Sequence, residues 1–540
     1  MASFRFPVVL AMGMALIMVI PRANGAKFLA TLFHPMAQAS HNRFVGGITT
    51  SLIGRGHEVT VLAADTYDFK GLKKDVAATR VLTFKAQTPS SVRKEMGKAL
   101  SADQASNPTF QLLSELARLA MMLKALNYIA VQNCADMFDN RDVMNGLLKE
   151  KFDLLLVEMF EPCDALLAEY LNVPFVVMTG SLRHPVFNEH IYNIPIPSSY
   201  VPFNPSGALT DEMSFSQRLQ NFLEANVFRK LLDYMQISSF RTIQLQHNIG
   251  TAFSVRELIG RAELWLCHID FALDFPHPIA PNWISIAGLL SDAETKPLPK
   301  DLEDFVQGSG DHGVIVFSLG STDMNLLNSE NDELFAKAFS QLPQRVLWKY
   351  IGSPPRYLGN NTRLMSWLPQ SDLLAHPKTK LLFYHGGMAG VYEAMHFKKP
   401  MVLLPLFADQ PGIGARIEKK GMGVVLSKSS LSVEAITTAI RLVLTDPSYK
   451  TNVEKYGSIS KDTIVSPMET AMFWIEHINK FGGSHLKSRA GELNFITLNS
   501  LDVVAFILII VLLGLYLDYV ILRSCYRFMC GRKTVKTKSD

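Results

Sequence analysis

The stretch Val503–Leu522 constrains this chain more than any other feature: twenty apolar residues broken by one charge, Asp518. About 20 apolar residues in a helix cross a hydrocarbon core, and a lone carboxylate near the interface costs little. Arg523 follows at once, and Arg527, Arg532, Lys533, Lys536 and Lys538 make the tail basic. The positive-inside rule therefore puts the tail in the cytosol. At the other end, Arg5 precedes an apolar run from Val8 to Ile20 that is too short to span, and the small residues Ala23 and Gly25 stand at cleavage-site spacing. That is the pattern of a secretory signal peptide. The two ends predict a signal peptide at 1–25, a membrane-proximal segment at 486–502, a transmembrane helix at 503–522 and a cytosolic basic tail at 523–540. Residues 26–502 then lie in a lumen, with 26–485 as the folded body of a single-pass type I protein.

The last residues, Lys536-Thr537-Lys538-Ser539-Asp540, resemble a dilysine retrieval signal, which implies the endoplasmic reticulum membrane. The one sequon, Asn360-Asn361-Thr362, predicts a glycoprotein. The five cysteines in 540 residues exclude a disulfide scaffold. Three of them, Cys134, Cys163 and Cys267, are lumenal, and an odd number cannot all pair within one chain. Cys525 and Cys530 flank the membrane on the cytosolic side, where acylation is chemically open. The formal charge of +4 is concentrated at the two ends. The body is left slightly acidic, which argues against a nucleic-acid partner.

Within the body, Lys27–Phe33 reads as a strand, 34–40 as a loop, 41–54 as a helix and His57–Ala63 as a second strand, which is a βαβ unit. The alternation returns at Phe152–Glu158, a helix near 164–171, and Pro174–Met178. Five prolines (276, 278, 281, 297 and 299) mark a linker over 276–300. Beyond it, Val314–Leu319, Arg345–Tyr350, Leu381–Tyr384 and Met401–Pro405 continue the pattern. The expected class is α/β, with two doubly wound domains at 26–285 and 286–485. Ligands of such sheets bind beyond the carboxyl ends of the strands, so the cleft between the two domains is the expected site.

The GxGxxG match at Gly308–Gly313 precedes a strand instead of following one, so it reads as a turn. GxxxxGK[ST], HExxH and paired CxxC motifs are absent from the sequence, which leaves kinase-type phosphate loops and common metal sites without support.

Residues 367–410 carry the chemistry. A strand ending at Tyr384 runs into His385-Gly386-Gly387 and then a helix, where close backbone approach and unpaired N–H groups suit a phosphate. Glu393, one to two turns along, suits the paired hydroxyls of a ribose. Trp367 offers a flat face for a base. Asp409 and Gln410, after a further strand, can grip sugar hydroxyls. In the first half, His41 starts the first helix at the mouth of the cleft, where a near-neutral imidazole can take a proton. His34 is a nearby competitor for that role.

Together these residues resemble the signature of the animal UDP-glycosyltransferases, the family of the UDP-glucuronosyltransferases. The likeness rests on Trp367–Gln370, His385–Gly387, Glu393, Pro400, Pro405, Asp409-Gln410, Arg55–His57, Asn193–Pro202, Pro281-Asn282 and Phe317–Ser321. Around Asn360–Gln370 and Gly421–Gly423 it extends to the neutral-hexose and ceramide-galactosyl members. The resemblance implies two Rossmann-like domains of GT-B type, the first binding the acceptor and the second the UDP-sugar, with no metal and no cofactor beyond the UDP-sugar co-substrate. It implies that Trp367 stacks uracil and Gln370 contacts uridine. Ser321 and His385 would meet the diphosphate with Gly387 at the helix start, Glu393 the ribose, and Asp409 with Gln410 the sugar. It assigns His41 as base and sets Glu158 where the family has an orienting aspartate, with Asp164 as a substitute. Where glucuronate-handling members have an arginine, this chain has His268, which leans the donor toward a neutral sugar. Tyr384 and Ala389 also depart from the family, which usually has Ser or Thr and an asparagine there.

The function so implied is inverting transfer of a hexosyl or glucuronosyl group from UDP-sugar to a hydroxyl of a small lipophilic acceptor. A non-catalytic UDP-sugar or lipophile-binding protein of the same fold is the alternative, and a polymer- or protein-glycan-building enzyme is a weaker third. Self-association as a homo-oligomer is left open.

Overall fold

Leu154–Glu158, buried at every residue, shows why the strands of this chain read as unbroken apolar runs: helices cover both faces of the sheet. The computed structural model describes residues 25–32, 39–65, 76–87, 124–125, 127–158, 162–182, 194, 196–203, 207–291, 294–320 and 329–531. The signal peptide, His34, Ser321 and the terminal lysines lie outside them.

The first sheet joins β1 (Lys27–Leu32), β2 (Glu58–Ala64), β3 (Arg80–Phe84), β4 (Leu154–Glu158), β5 (Phe175–Leu182), β6 (Leu264–His268) and β7 (Trp283–Ser285). Its order is β3-β2-β1-β4-β5-β6-β7, parallel throughout. The second joins β8 (Val314–Ser318), β9 (Arg345–Lys349), β10 (Thr362–Met365), β11 (Thr379–Tyr384), β12 (Met401–Leu403) and β13 (Gly423–Val425). Its order is β10-β9-β8-β11-β12-β13, again parallel. Both are doubly wound, and the winding reverses between β1 and β4 and between β8 and β11. Those two switch points are where such sheets bind ligands.

Side chains alternate across each strand. Phe28 and Ala30 of β1 face Phe44, Val45, Ile48 and Leu52 of α1 (Ala39–Gly54). Leu29 faces the other way, into a cluster with Leu166 and Leu167 of α2 (Pro162–Leu171). A disulfide joins Cys134 to Cys163 of α2, and the buried Cys267 takes no part in it. In the second sheet, Phe317 gathers Phe335, Phe339, Trp348 and Phe383 at ring-centroid distances of 4.7–5.2 Å. Helices α3 (Gln370–Ala375), α4 (Met388–His396) and α5 (Gln410–Lys419) rise from its carboxyl edge.

Two features differ from the sequence expectation. The proline-rich 276–300 is not wholly linker, because it holds β7, paired to β6. Helix α6 (Pro467–Phe481) follows the second sheet in the chain, yet it packs on the first. Ala471, Met472, Ile475 and Ile478 join the cluster of Val45, Ile48 and Leu52, and Arg55 pairs with Glu469 and Glu476. Residues 488–540 form a separate unit. It contains α7 (Leu501–Cys530), a helix long and apolar enough to cross a membrane, with a mean hydropathy of 2.7 over its most apolar window.

Candidate active site

Glu158 ends β4 at the first switch point, and His41 stands in the first turn of α1 beside it. His41 Nδ1 and Glu158 Oε1 are 2.6 Å apart. The longer side chain of glutamate therefore spans the gap directly, and Asp164 sits instead in the first turn of α2. Burial pulls the His41 pKa down, but the charge and hydrogen bond of Glu158, with the charge of Asp409 from the second half, outweigh it and the net shift is upward. With Nδ1–H donated to Glu158, the Nε2 lone pair is the basic position.

Across the cleft, Glu393 of α4 is buried, and its carboxylate accepts from Gln370 Nε2 and, at 2.7 Å, from Ser371 Oγ. The structure thus ties Gln370 and Glu393 into one unit and adds Ser371. Trp367, just before α3, stays half exposed. Its ring meets the guanidinium of Arg43 at 5.4 Å and Lys349 Nζ at 5.7 Å from the centroid. Lys349 also donates to the carbonyl of Gly320. His385 follows β11 and is pushed down to about 3 by burial and by the charge of Lys349, against a hydrogen bond to the Ser318 backbone. It therefore stands there as a neutral imidazole. Gly320 at φ +98° makes room for that ring, since a Cβ there would come within 2.8 Å of it. Gly387 caps α4 without a side-chain hydrogen bond, and the first N–H groups of a helix have no partner within it.

Not every expected residue converges. Gln410 begins α5 but turns inward, its Oε1 accepting from the backbone N–H of Leu406 at 2.8 Å and of Phe407 at 3.1 Å. It braces the loop that carries Asp409. His268 is buried between Phe44 and Tyr392, stacked on the latter at 5.3 Å. Burial lowers its pKa to about 4, so it carries no charge near neutrality. Beside it, Asp274 pairs with Arg416 of α5 at 2.7 Å, a buried ion pair between the two halves.

Tyr384 is buried against the start of α4, and a Cβ on Gly390 would lie 2.4 Å from its ring. Burial, then the charge of Glu393, raise its pKa well above the ordinary phenol value. The charge of Arg43, Gln370 and the Gly390 backbone act on the same hydroxyl in the opposite direction. Ala389, exposed in the same turn, adds no side-chain donor. Ala389→Asn is expected to lower the dissociation constant for UDP by about tenfold, the scale of one hydrogen bond to a charged group. Calorimetric titration checks it, and unchanged or weaker binding would show that the turn has no room for a further donor. The sequence reading missed Arg43, Lys349 and Ser371. Their positions held the signal: two residues after His41, at the end of a strand, and directly after Gln370.

Residues 30–537 match the family model described as UDP-glucoronosyl and UDP-glucosyl transferase. UDP-glucuronosyltransferase 2B33 of Macaca mulatta is 36% identical over 514 residues, covering 93% of this chain and 94% of that protein. UDP-glucuronosyltransferase 2B7 of Homo sapiens is 34% identical over 511 residues, with the same coverage. Among solved structures, the spinosyn forosaminyltransferase SpnP aligns with a TM-score of 0.56 at 14% identity, over 84% of this chain and 99% of its own. The calicheamicin glycosyltransferase CalG4 aligns at 0.51 and 18% identity, over 85% of this chain and 99% of its own. At such identities these two speak for the fold alone, and it is the GT-B fold.

Proposed function

The chain belongs to the UDP-glucoronosyl and UDP-glucosyl transferase family, and from that premise we propose that it transfers a glycosyl group from a UDP-sugar to a hydroxyl of a small lipophilic acceptor, with inversion at the anomeric carbon. The His41–Glu158 pair carries this reading. The acceptor hydroxyl gives its proton to His41 Nε2 as its oxygen attacks the anomeric carbon. Glu158 fixes the tautomer and stabilises the imidazolium that forms. The glycosidic C–O bond to the diphosphate breaks on the opposite face, and UDP leaves with the electron pair. Neutral His385, Lys349 and the N-terminus of α4 receive the charge. Protein groups thus supply the stabilisation, and the UDP-sugar is a co-substrate. In this reading Asp409, whose charge acts on His41, holds the sugar.

The donor we assign first is UDP-glucuronate, because the relatives at 34–36% identity are named UDP-glucuronosyltransferases. A neutral hexose is the second reading, favoured by His268: buried and uncharged, it offers no cation to a donor carboxylate. The anchored lumenal placement is supported by α7, by the basic residues after it, and by the Cys134–Cys163 disulfide, which suits an oxidising compartment. Membrane proximity suits lipid-soluble acceptors.

The deciding experiment follows UDP release with UDP-glucuronate, UDP-glucose, UDP-galactose and UDP-N-acetylglucosamine against phenol and steroid acceptors. The highest turnover is expected with UDP-glucuronate. Preference for a neutral sugar would establish the second reading. UDP binding without release from any donor would leave a binding protein of the same fold.

A further inference from the structure

Arg43 has no place in the reaction as described above, yet it reaches into the cleft. It stands on α1, two residues after His41, and its side chain is exposed. Among the described residues its guanidinium enters no hydrogen bond or ion pair. What it meets is the ring of Trp367 on the second half, 5.4 Å from the centroid. The amino group of Lys349 lies 5.7 Å from the centroid of the same ring. Two cations thus attend one aromatic ring at a place where no carboxylate pairs with Arg43.

We propose that Arg43 is a donor-binding residue, whose guanidinium grips the diphosphate of the UDP-sugar from the side of the first half. This rests on the reading of the cleft as a UDP-sugar site. In that reading His41 faces the anomeric carbon and Trp367 faces the uracil. The diphosphate lies between those two ends of the donor. Arg43 spans the same interval, rooted beside His41 and reaching Trp367. A planar fork with several donors matches phosphate oxygens in pairs. Its contact with the Trp367 ring is weak by comparison. An exposed cation–π contact is worth about two- to fivefold in an equilibrium constant, and a hydrogen bond to a charged group about ten- to a hundredfold. The diphosphate therefore draws the guanidinium off the ring. Because α1 and Trp367 belong to different halves, a bound donor also links the halves through this one side chain.

The test uses the full chain in detergent and titrates UDP and uridine calorimetrically into wild type, Arg43→Met and Arg43→Lys. Methionine keeps the apolar stem and removes the charge. Arg43→Met is expected to weaken UDP about tenfold and to leave uridine within about twofold, with Arg43→Lys intermediate for UDP. Equal weakening of UDP and uridine would overturn the proposal and make Arg43 a stacking partner of the base. Tighter binding of both would overturn it by making Arg43 a plug of the empty site, and an unchanged UDP constant would also overturn it. If wild type itself fails to bind UDP, the UDP-sugar reading falls and this inference with it. Wild-type binding that is unaltered in Arg43→Met removes only the inference.

Discussion

Replacing His41 with alanine is expected to lower turnover by about 10²–10⁴-fold, the usual contribution of a positioned general base, while UDP affinity stays close to wild type. On the proposed reading UDP is held by groups other than His41, namely Trp367, the Gln370–Glu393 unit and His385 on the second half with Arg43 from the first, so the affinity should survive. Single-turnover kinetics beside UDP titration separates the two effects. Glu158→Gln sharpens the test. The base works only in its neutral form, so the rate rises with pH through the pKa of His41. Burial lowers that pKa, and Glu158 is the main group that outweighs it. Removing the carboxylate charge should therefore move the acid limb of the kcat/KM profile to lower pH and reduce its height. A limb that stays in place in Glu158→Gln would show that another group sets it, and an active His41→Ala enzyme would remove the mechanism.

The second large effect is a loss of stability in mild acid. His268 is held neutral, with its pKa at about 4 against 6.5 for an ordinary histidine. Between those values the unfolded chain binds a proton that the folded chain refuses, so stability falls as pH drops from 6.5 toward 4. At pH 5 this amounts to about 2 kcal/mol for one such residue, a large share of a typical stability of about 5–15 kcal/mol. His385, lowered to about 3, adds to the same trend. His41, shifted the other way, opposes it: its contribution is present below pH 6.5 and fades as pH rises through the folded value. Asp274, which Arg416 holds below the usual carboxylate range against its burial, keeps its charge throughout the window. The clean quantity is thus the slope for one residue. His268→Gln, followed by denaturant unfolding between pH 7 and pH 5, should lose about 2 kcal/mol less than wild type. An identical slope would mean that the native state tolerates the His268 proton.

Legibility followed local chemistry. The strands at the centres of the sheets were readable because burial on both faces leaves unbroken apolar runs, as in Leu154–Glu158. The glycines after β11 and the start of α4 were readable because few side chains suit that turn. The edge strands β3, β7, β10 and β13 were not, being short and only partly apolar, and β7 lies among prolines that speak for a loop; the inner strand β6 escaped too, although every residue of it is buried. Within the site, the residues nearest the strand ends, His41, Glu158 and His385, stand where the βαβ logic puts them. Residues defined by contacts between halves escaped. Nothing local in Arg43 says that it meets Trp367, more than three hundred positions away. Nothing local in Gln410 says that its amide folds back to brace its own loop. The apolar stripe of α6 announces a helix, but not which sheet it covers.

That last helix sets a timetable. The bond from Arg55 to Glu476 joins residues 421 positions apart, and the apolar face of α1 is completed only by α6. A chain made amino end first at about 5–20 residues per second waits on the order of 20–80 s between those two points. Throughout that interval the first sheet must hold Val45, Ile48 and Leu52 without their cover, while the strands of the second sheet, residues 314–425, are made in its later part. The half made first is therefore sealed last. Exposed apolar surface of this kind is what folding assistants bind, and a chain cut short before α6 is expected to leave it open.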